Sequence, residues 1–481
     1  MKQKSLKKNA IFNLIKSLMN IIFPIISFPY ASRILLPSGI GKVNFANSII
    51  EYFVMFAALG VVSYATREVA KIRDDNHKLN AFSREILLIN FISTAISYIA
   101  LFICFIFVDK FNEYRILIIV TASKILFSTL GIEWLYRAKE EYGYITLRQI
   151  IFQIISLLLL FLFVKTPDDY VIYAAIGVFA NVGSNVLNLI YSRRFINVFE
   201  KTKLQLKKHI KPIITFFGIT CAGKINNALD AVMLGFLASD TAVGLYSAAI
   251  KICRMVFELI TSVVSSFLPR TSYYIEKNQM DEYKKIIEKV FGGTFFFAIP
   301  SAFGLFFLCE PIIVIFSGDQ YLSAIPSMKI MSFSIIFSCA NSFLNNLIIT
   351  PQRKEKFTLI SQISAAICNI ILNILLIKKY EVLGAAIATL IVEIVLVAVI
   401  LIPSFKFLKN KNNLFALCKI IIGSVIMFIV LYFTCNTIEN HILKIVLSLI
   451  IGGITYILCE IILRNQTVSI LFGSIKNKIK K

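Results

Sequence analysis

About fourteen long apolar stretches run through this 481-residue chain, and the polar loops between them are alternately rich and poor in Lys and Arg. The rich set opens with Lys2, Lys4, Lys7 and Lys8, recurs within 67–84, 137–148, 193–211, 270–289, 353–356 and 406–419, and closes within 464–481. It holds 36 of the 50 cations; the intervening loops hold eight, among them Lys42, Lys110, Lys165 and Lys329. Only a chain that threads a membrane repeatedly has reason to sort cations this way. The sorting predicts an even number of spans, with both termini on the cytoplasmic side. Six cations fall inside the spans and escape the rule: Lys16, Arg33, Lys124, Lys224, Lys251 and Arg254.

The spans are predicted at 10–36, 43–66, 86–108, 116–136, 144–165, 170–191, 212–237, 242–268, 290–316, 322–349, 357–377, 381–403, 414–434 and 442–463. Each is long enough for roughly 30 Å of hydrocarbon at about 1.5 Å per helical residue. Hydrophobic residues make up 58% of the chain, more than a water-soluble domain could cover. A net charge of +23 would suggest nucleic acid in a soluble protein; here it meets anionic headgroups. The nine Cys form no CxxC pair, and His77, His209 and His441 are scattered. Neither a metal centre nor a His-based active site is expected. The opening MKQKSLKKNAIFNLIKSLMNIIF looks like a signal peptide, yet it lacks a small-residue cleavage site and carries Asn13, Lys16 and Asn20. It is expected to stay as the first span.

No loop is long enough for a domain outside the membrane. The longest, Ser192–Lys211, sets Phe195, Phe199, Leu206 and Ile210 among lysines, the pattern of a helix lying on the inner membrane surface. It divides the chain into weakly self-similar halves. LLPSGIGKVNFANSII follows span one and LASDTAVGLYSAAIKI follows span seven; with Gly41 on Gly244, Pro37 meets Asp240 and Ala46 meets Ala249. The predicted organisation is a six-helix lobe at 1–191, a basic cytoplasmic linker at 192–211, a second six-helix lobe at 212–403, and two further transmembrane helices with a basic tail at 404–481. Duplicated lobes place a substrate site between them.

Polar residues recur inside the spans at steps of three and four, which puts each set on one helix face. Asn20 lies in span one; Asn47 and Glu51 in span two; Asn181, Asn185 and Asn188 in span six; Asn341 and Asn345 in span ten; Asn369 and Asn373 in span eleven. Hydrogen bonding between helices would explain each set singly; their presence in both halves favours a shared hydrated cavity. Charges within spans cost more and say more. Arg33, Glu51, Lys224, Asp230, Lys251, Arg254 and Glu258 are the candidates, with the neutral Asn227 beside Lys224, and Arg254 and Glu258 are spaced as a local ion pair. The remaining surplus is positive, which suits an anionic substrate such as a phosphate. Lys124 and Glu133, in span four, receive no role from spacing.

At ISFPYASRILLPSGIGKVNFANSIIEYF (residues 26–53) the chain resembles the polysaccharide repeat-unit flippases, the Wzx-type members of the superfamily of multidrug, oligosaccharidyl-lipid and polysaccharide exporters. The run DAVMLGFLASDTAVGLYSAAIKI (residues 230–252) also matches, and the likeness extends over the whole chain. It implies an all-α, MATE-like fold of two pseudo-two-fold six-helix lobes with two extra C-terminal helices, working by alternating access. The substrate it implies is an undecaprenyl-diphosphate-linked oligosaccharide. Arg33, Lys224, Lys251 and Arg254 would engage the diphosphate, and Asn20, Asn47, Glu51, Asn227, Asn341 and Asn345 the sugars. The superfamily also holds sodium-coupled lipid II flippases. Asp230, Asn369, Asn373 and Thr389 resemble that ion site, with Glu393 as a proton carrier, so Na+ or H+ would be the coupling ion. No other cofactor is expected.

Three functions compete. Flipping of a lipid-linked sugar diphosphate in the cell membrane fits the surplus cations, with membrane lipids and a polysaccharide polymerase as partners and no nucleic acid. A lipid II-type flippase or a cation-coupled multidrug exporter would share the fold, but the exporter calls for a net acidic cavity. A membrane-embedded glycan polymerase or ligase needs a large external loop with clustered catalytic residues, and the cation-poor loops are short.

Overall fold

The computed structural model describes residues 6–197, 200, 204–408, 411–465 and 467–468, leaving aside the side chains at 6–11, 13–14, 17, 219, 222–225, 227 and 411–413. Every regular element among these residues is helical. The chain forms two compact units, Met1–Gly235 and Phe236–Lys481. The first holds α1 (Leu6–Ala58), α2 (Val61–Ile72), α3 (Asn76–Phe107), α4 (Asp109–Glu113), α5 (Arg115–Leu130), α6 (Glu133–Ala138), α7 (Tyr142–Phe163), α8 (Tyr170–Val178), α9 (Asn185–Ser192) and nearly all of α10 (Lys207–Leu237). The second holds α11 (Asp240–Ser265), α12 (Leu268–Glu276), α13 (Met280–Ser317), α14 (Ile325–Leu344), α15 (Glu355–Leu408), α16 (Lys411–Cys435) and α17 (His441–Ile462).

Ten helical stretches among the described residues are long and apolar enough to cross a membrane. Two of them, Leu18–Ile72 and Glu355–Leu408, run 55 and 54 residues, about 80 Å each at 1.5 Å per residue and enough for two passes. Each is broken midway. In α1 the break is Leu36 (φ 61°, ψ 172°), just before Pro37; proline bars its predecessor from helical geometry and fits the first turn of the next helix. In α15 the break is Glu381 (φ 46°, ψ −118°). A Cβ on Gly384 would stand 2.4 Å from the Leu376 carbonyl oxygen, so this turn closes only over glycine. With α10 and the more charged α11 added, the architecture is an all-α bundle of about fourteen passes. Pro37 and Asp240, paired by the internal alignment, both stand at a helix start, and Ser239 caps α11 by accepting the Ala242 N–H at 3.2 Å.

In the first unit α1 packs against α3, α5, α7 and α8. One end is closed by a core of Val61, Tyr64, Leu79, Ile86, Trp134 and Ile213. Small polar residues sit between its helices: Thr94 and Thr129 hydroxyls pair at 2.6 Å, and Ser93 donates to the Ala57 carbonyl at 2.6 Å. Such contacts hold helices together where lipid supplies no hydrophobic drive. In the second unit α14 packs against α11, α13 and α15, while α16 and α17 pack on each other and on α13. Outward faces carry exposed Ile96, Phe102, Phe107, Ile402 and Phe433, a surface suited to lipid chains.

The linker departs from the expected surface helix. Among its described residues, 193–206 form turns and irregular chain, and helix resumes only at Lys207. Phe199 lies outside the described residues, and Phe195 turns inward onto Tyr136 and Tyr191. The physical reason is α3, which starts ten residues before the predicted span and binds the linker backbone through Asn80, Arg84 and Glu85. Chain held this way has no need of its own helical hydrogen bonds.

Candidate functional site

Two charged groups of the first unit form around α1. The first joins α5 to α1: Lys124, only 9% exposed, donates from Nζ to Asn47 Oδ1 at 2.7 Å. Glu51, one turn further along α1, is exposed and interacts with it electrostatically. A buried ammonium in an apolar span costs several kcal/mol, and one amide oxygen with a neighbouring carboxylate offsets part of that. Lys124 thereby gains the role that spacing withheld.

The second group gathers Lys16 of α1, Glu133 and Arg137 of α6, and Arg148 of α7. Arg137 Nη2 donates to Glu133 Oε2 at 2.8 Å, and Lys16 Nζ stands 4.0 Å from Glu133 Oε1. Arg148 is 6% exposed; its Nη1 donates to the Ser184 carbonyl at 2.9 Å and to Asn185 Oδ1 at 3.3 Å. Its Nε finds no hydrogen-bond partner among the described atoms, and its guanidinium lies 5.9 Å from the Tyr144 ring centre. Asn20 Oδ1 accepts from Gln149 Nε2 at 2.7 Å. Arg148 acts on Glu133 electrostatically, without an ion-pair contact, so one carboxylate serves three cations, and Lys16 and Arg137 keep part of their side chains open. Chemically this wall can hold an anion. Lys16 was visible in the sequence as a cation inside a span. Arg148 was not, because it lies near the start of the predicted span 144–165 and counts with the cation-rich loop before it.

Other sequence candidates are placed as follows. Arg33 is exposed and donates from Nη1 to the Pro29 carbonyl at 2.8 Å. Lys224 and Asn227 lie in α10 with side chains outside the described set, and Asp230, three residues beyond Asn227, is buried. On α11, Lys251 is half-buried and Arg254 exposed. In the second unit Asn345 Nδ2 donates to Asn341 Oδ1 at 2.7 Å and Thr358 Oγ1 to Asn345 Oδ1 at 2.6 Å, at a π-helical turn over Asn345–Ile349. Asn369 and Asn373 are buried, with Asn373 Nδ2 donating to Asn369 Oδ1 at 2.5 Å. Thr389 Oγ1 donates to the Ala385 carbonyl and pairs with Tyr246 Oη at 3.0 Å. Glu393 is half-buried on α15.

One polar stripe is corrected. Asn185 Nδ2 donates to the Phe127 carbonyl at 3.0 Å, and Asn188 Nδ2 to the Gly131 carbonyl at 2.6 Å. Both bind the end of α5 and serve helix packing rather than a cavity. The sequence also gave no sign of an apolar groove of about 720 Å³ between α11 and α13. Leu259, Ile260, Val263 and Phe297 line it, with Lys285, Glu288 and Lys289 near the start of α13.

About fourteen passes in two units, with cations buried inside the spans, define a polytopic membrane protein that keeps charge within its spans. The fold agrees with that of a lipid II flippase, MurJ, in an inward closed conformation: TM-score 0.75 at 19% identity over 95% of this chain and 99% of the other. A family model described as polysaccharide biosynthesis protein matches residues 6–275, and the chain belongs to that family. A MatE family model matches residues 220–375. Among relatives, a putative O-antigen transporter of Escherichia coli (strain K12) is 24% identical over 86% of this chain and 99% of its own length. The capsular polysaccharide biosynthesis protein CapF of Staphylococcus aureus is 22% identical over 76% and 90%. Family and relatives make this a transport protein of polysaccharide biosynthesis, not an enzyme.

Proposed function

We propose that this protein flips a polyprenyl-diphosphate-linked oligosaccharide from the cytoplasmic to the outer leaflet of the cell membrane by alternating access. The observation that carries the reading is the cationic wall of Lys16, Arg137 and Arg148 around a single carboxylate, with Lys124 buried on a neighbouring helix. Cations kept in apolar spans despite their cost are retained for an anionic partner. A diphosphate meets that description, and cationic drugs do not. The groove beside α11 offers an apolar wall for a polyprenyl chain, and its lysines a place near headgroups.

The anion path takes in Lys16, Lys124, Arg137 and Arg148, and Arg33, Lys224, Lys251 and Arg254 would engage the diphosphate as well. Asn20, Asn47, Glu51, Asn227, Asn341 and Asn345 supply hydrogen bonds to sugar hydroxyls. Asp230, Asn369, Asn373 and Thr389 offer a carboxylate, two amides and a hydroxyl, a hard-oxygen set suited to Na+; Glu393 would carry a proton instead. The basic loops put both termini in the cytoplasm. A polysaccharide polymerase would take the product at the outer leaflet.

The test is lipid analysis of cells whose only copy carries Lys124→Met, Arg148→Met or Arg254→Ala. Polyprenyl-linked oligosaccharide accumulates if the reading holds, at normal protein level in Lys124→Met and Arg254→Ala. Normal surface glycan in all three would refute the anion path.

A further inference from the structure

The linker is gripped far more firmly than a flexible tether requires. Asn80 Oδ1 accepts the Asn197 N–H at 2.8 Å and its Nδ2 donates to Glu200 Oε2 at 2.5 Å, while Arg84 Nη1 donates to the Glu200 carbonyl at 3.0 Å. One turn further along α3, Glu85 is 1% exposed. Its Oε1 accepts the Gln205 N–H at 2.6 Å, and its Oε2 accepts from His209 Nε2 at 2.8 Å and lies 3.1 Å from Lys208 Nζ. His209, 2% exposed, uses its other nitrogen on the Tyr64 hydroxyl at 2.7 Å. Phe82 meets the imidazole edge-on at 5.2 Å. None of these residues belongs to the anion path.

We propose that Glu85, His209 and Tyr64 form a proton-sensitive latch that fixes the start of α10 to α2 and α3. The chemistry follows from the two nitrogens. A neutral imidazole keeps both bonds only with its proton on Nε2, donating to Glu85 and accepting from the Tyr64 O–H. A protonated imidazole donates at both positions, turns Tyr64 into the acceptor, and adds an ion pair with Glu85. Protonating His209 therefore tightens the latch, and deprotonating it leaves a weaker one. Protonating Glu85 removes the acceptor for three donors and opens it. The other charges that face the site are Arg67 and Glu68 on α2 and Lys208 on α10. Glu68 is paired with Arg67 and Lys71, so its charge is largely answered on its own helix. Lys208 is half exposed and supplies a fixed positive charge to Glu85.

Hydrogen–deuterium exchange of the full-length protein in lipid nanodiscs tests this, followed on the peptide covering 204–211 and corrected for the intrinsic pH dependence of exchange. In the wild type, exchange there rises about threefold or more from pH 6 to pH 8. His209→Gln keeps a neutral partner for Glu85 and flattens that dependence. Glu85→Gln raises exchange about tenfold at both pH values, while α13 and α14 stay as protected as in the wild type. Tyr64→Phe gives an intermediate rise and serves where Glu85→Gln does not fold. A wild-type profile flat in pH, or a His209→Gln profile matching a sloping wild type, would overturn the latch, as would unchanged exchange in Glu85→Gln or, where that variant does not fold, in Tyr64→Phe.

Discussion

Arg148 shows how one buried side chain can serve packing and charge together. It ties α7 to the Ser184 carbonyl at the end of the π-helical turn Phe179–Gly183, and to Asn185. Arg148→Leu strands both acceptors in a buried site, and thermal unfolding in detergent should show a loss of about 2–4 kcal/mol. Arg148→Lys should recover only part of that, because an ammonium cannot reproduce the planar fork. A stability loss below about 0.5 kcal/mol for Arg148→Leu would mean the bonds contribute little. At this scale the sequence was half legible. Lys16 and Lys124 stood out as charges within apolar runs, and Asn47 and Glu51 as a pair one turn apart. Their partners were not legible. Glu133 and Arg137 reach Lys16 only once α6 is set off from α5 by Ile132 in the left-handed region, which no residue type there announces.

Helix ends follow from local chemistry. Asp75 caps α3 by accepting the Lys78 N–H at 3.1 Å, and this bond, together with the Lys78 ammonium, holds its carboxyl below the usual aspartate value. A lowered carboxyl contributes above its unfolded value and loses that contribution as pH falls through its folded one. Exchange at the first turn of α3 should therefore rise as pH falls below about 4, and Asp75→Asn should keep the cap while removing the pH dependence. Unaltered acid sensitivity in Asp75→Asn would place the titration elsewhere. The turns inside α1 and α15 were legible as gaps between spans, but their tightness was not. The turn between α1 and α2, inside the predicted span 43–66, shows the same: Gly60 takes φ 71°, and a Cβ there would stand 2.6 Å from the Phe217 N of α10, a neighbour 157 positions away. Contacts that distant in sequence leave no local trace. The linker misled for the same reason, since its apolar spacing suits a surface helix while α3 holds the chain in another form.

For the whole molecule, the alternation of cation-rich and cation-poor loops carried most of the information. It gave an all-α membrane bundle of about fourteen passes, and fold and family agree with it. Lys16 and Lys124, which the alternation does not explain, lead together with Arg148 to the proposed activity. The most direct measurement is leaflet transfer of a polyprenyl-diphosphate-linked oligosaccharide in proteoliposomes containing the purified protein, read by access of the sugar to an added, membrane-impermeant glycosidase. The account predicts transfer well above that of protein-free vesicles, and a fall of at least about tenfold in Lys124→Met and Arg148→Met, the scale of one lost charge-assisted contact. Transfer equal to protein-free vesicles, or unchanged in both variants, would contradict it.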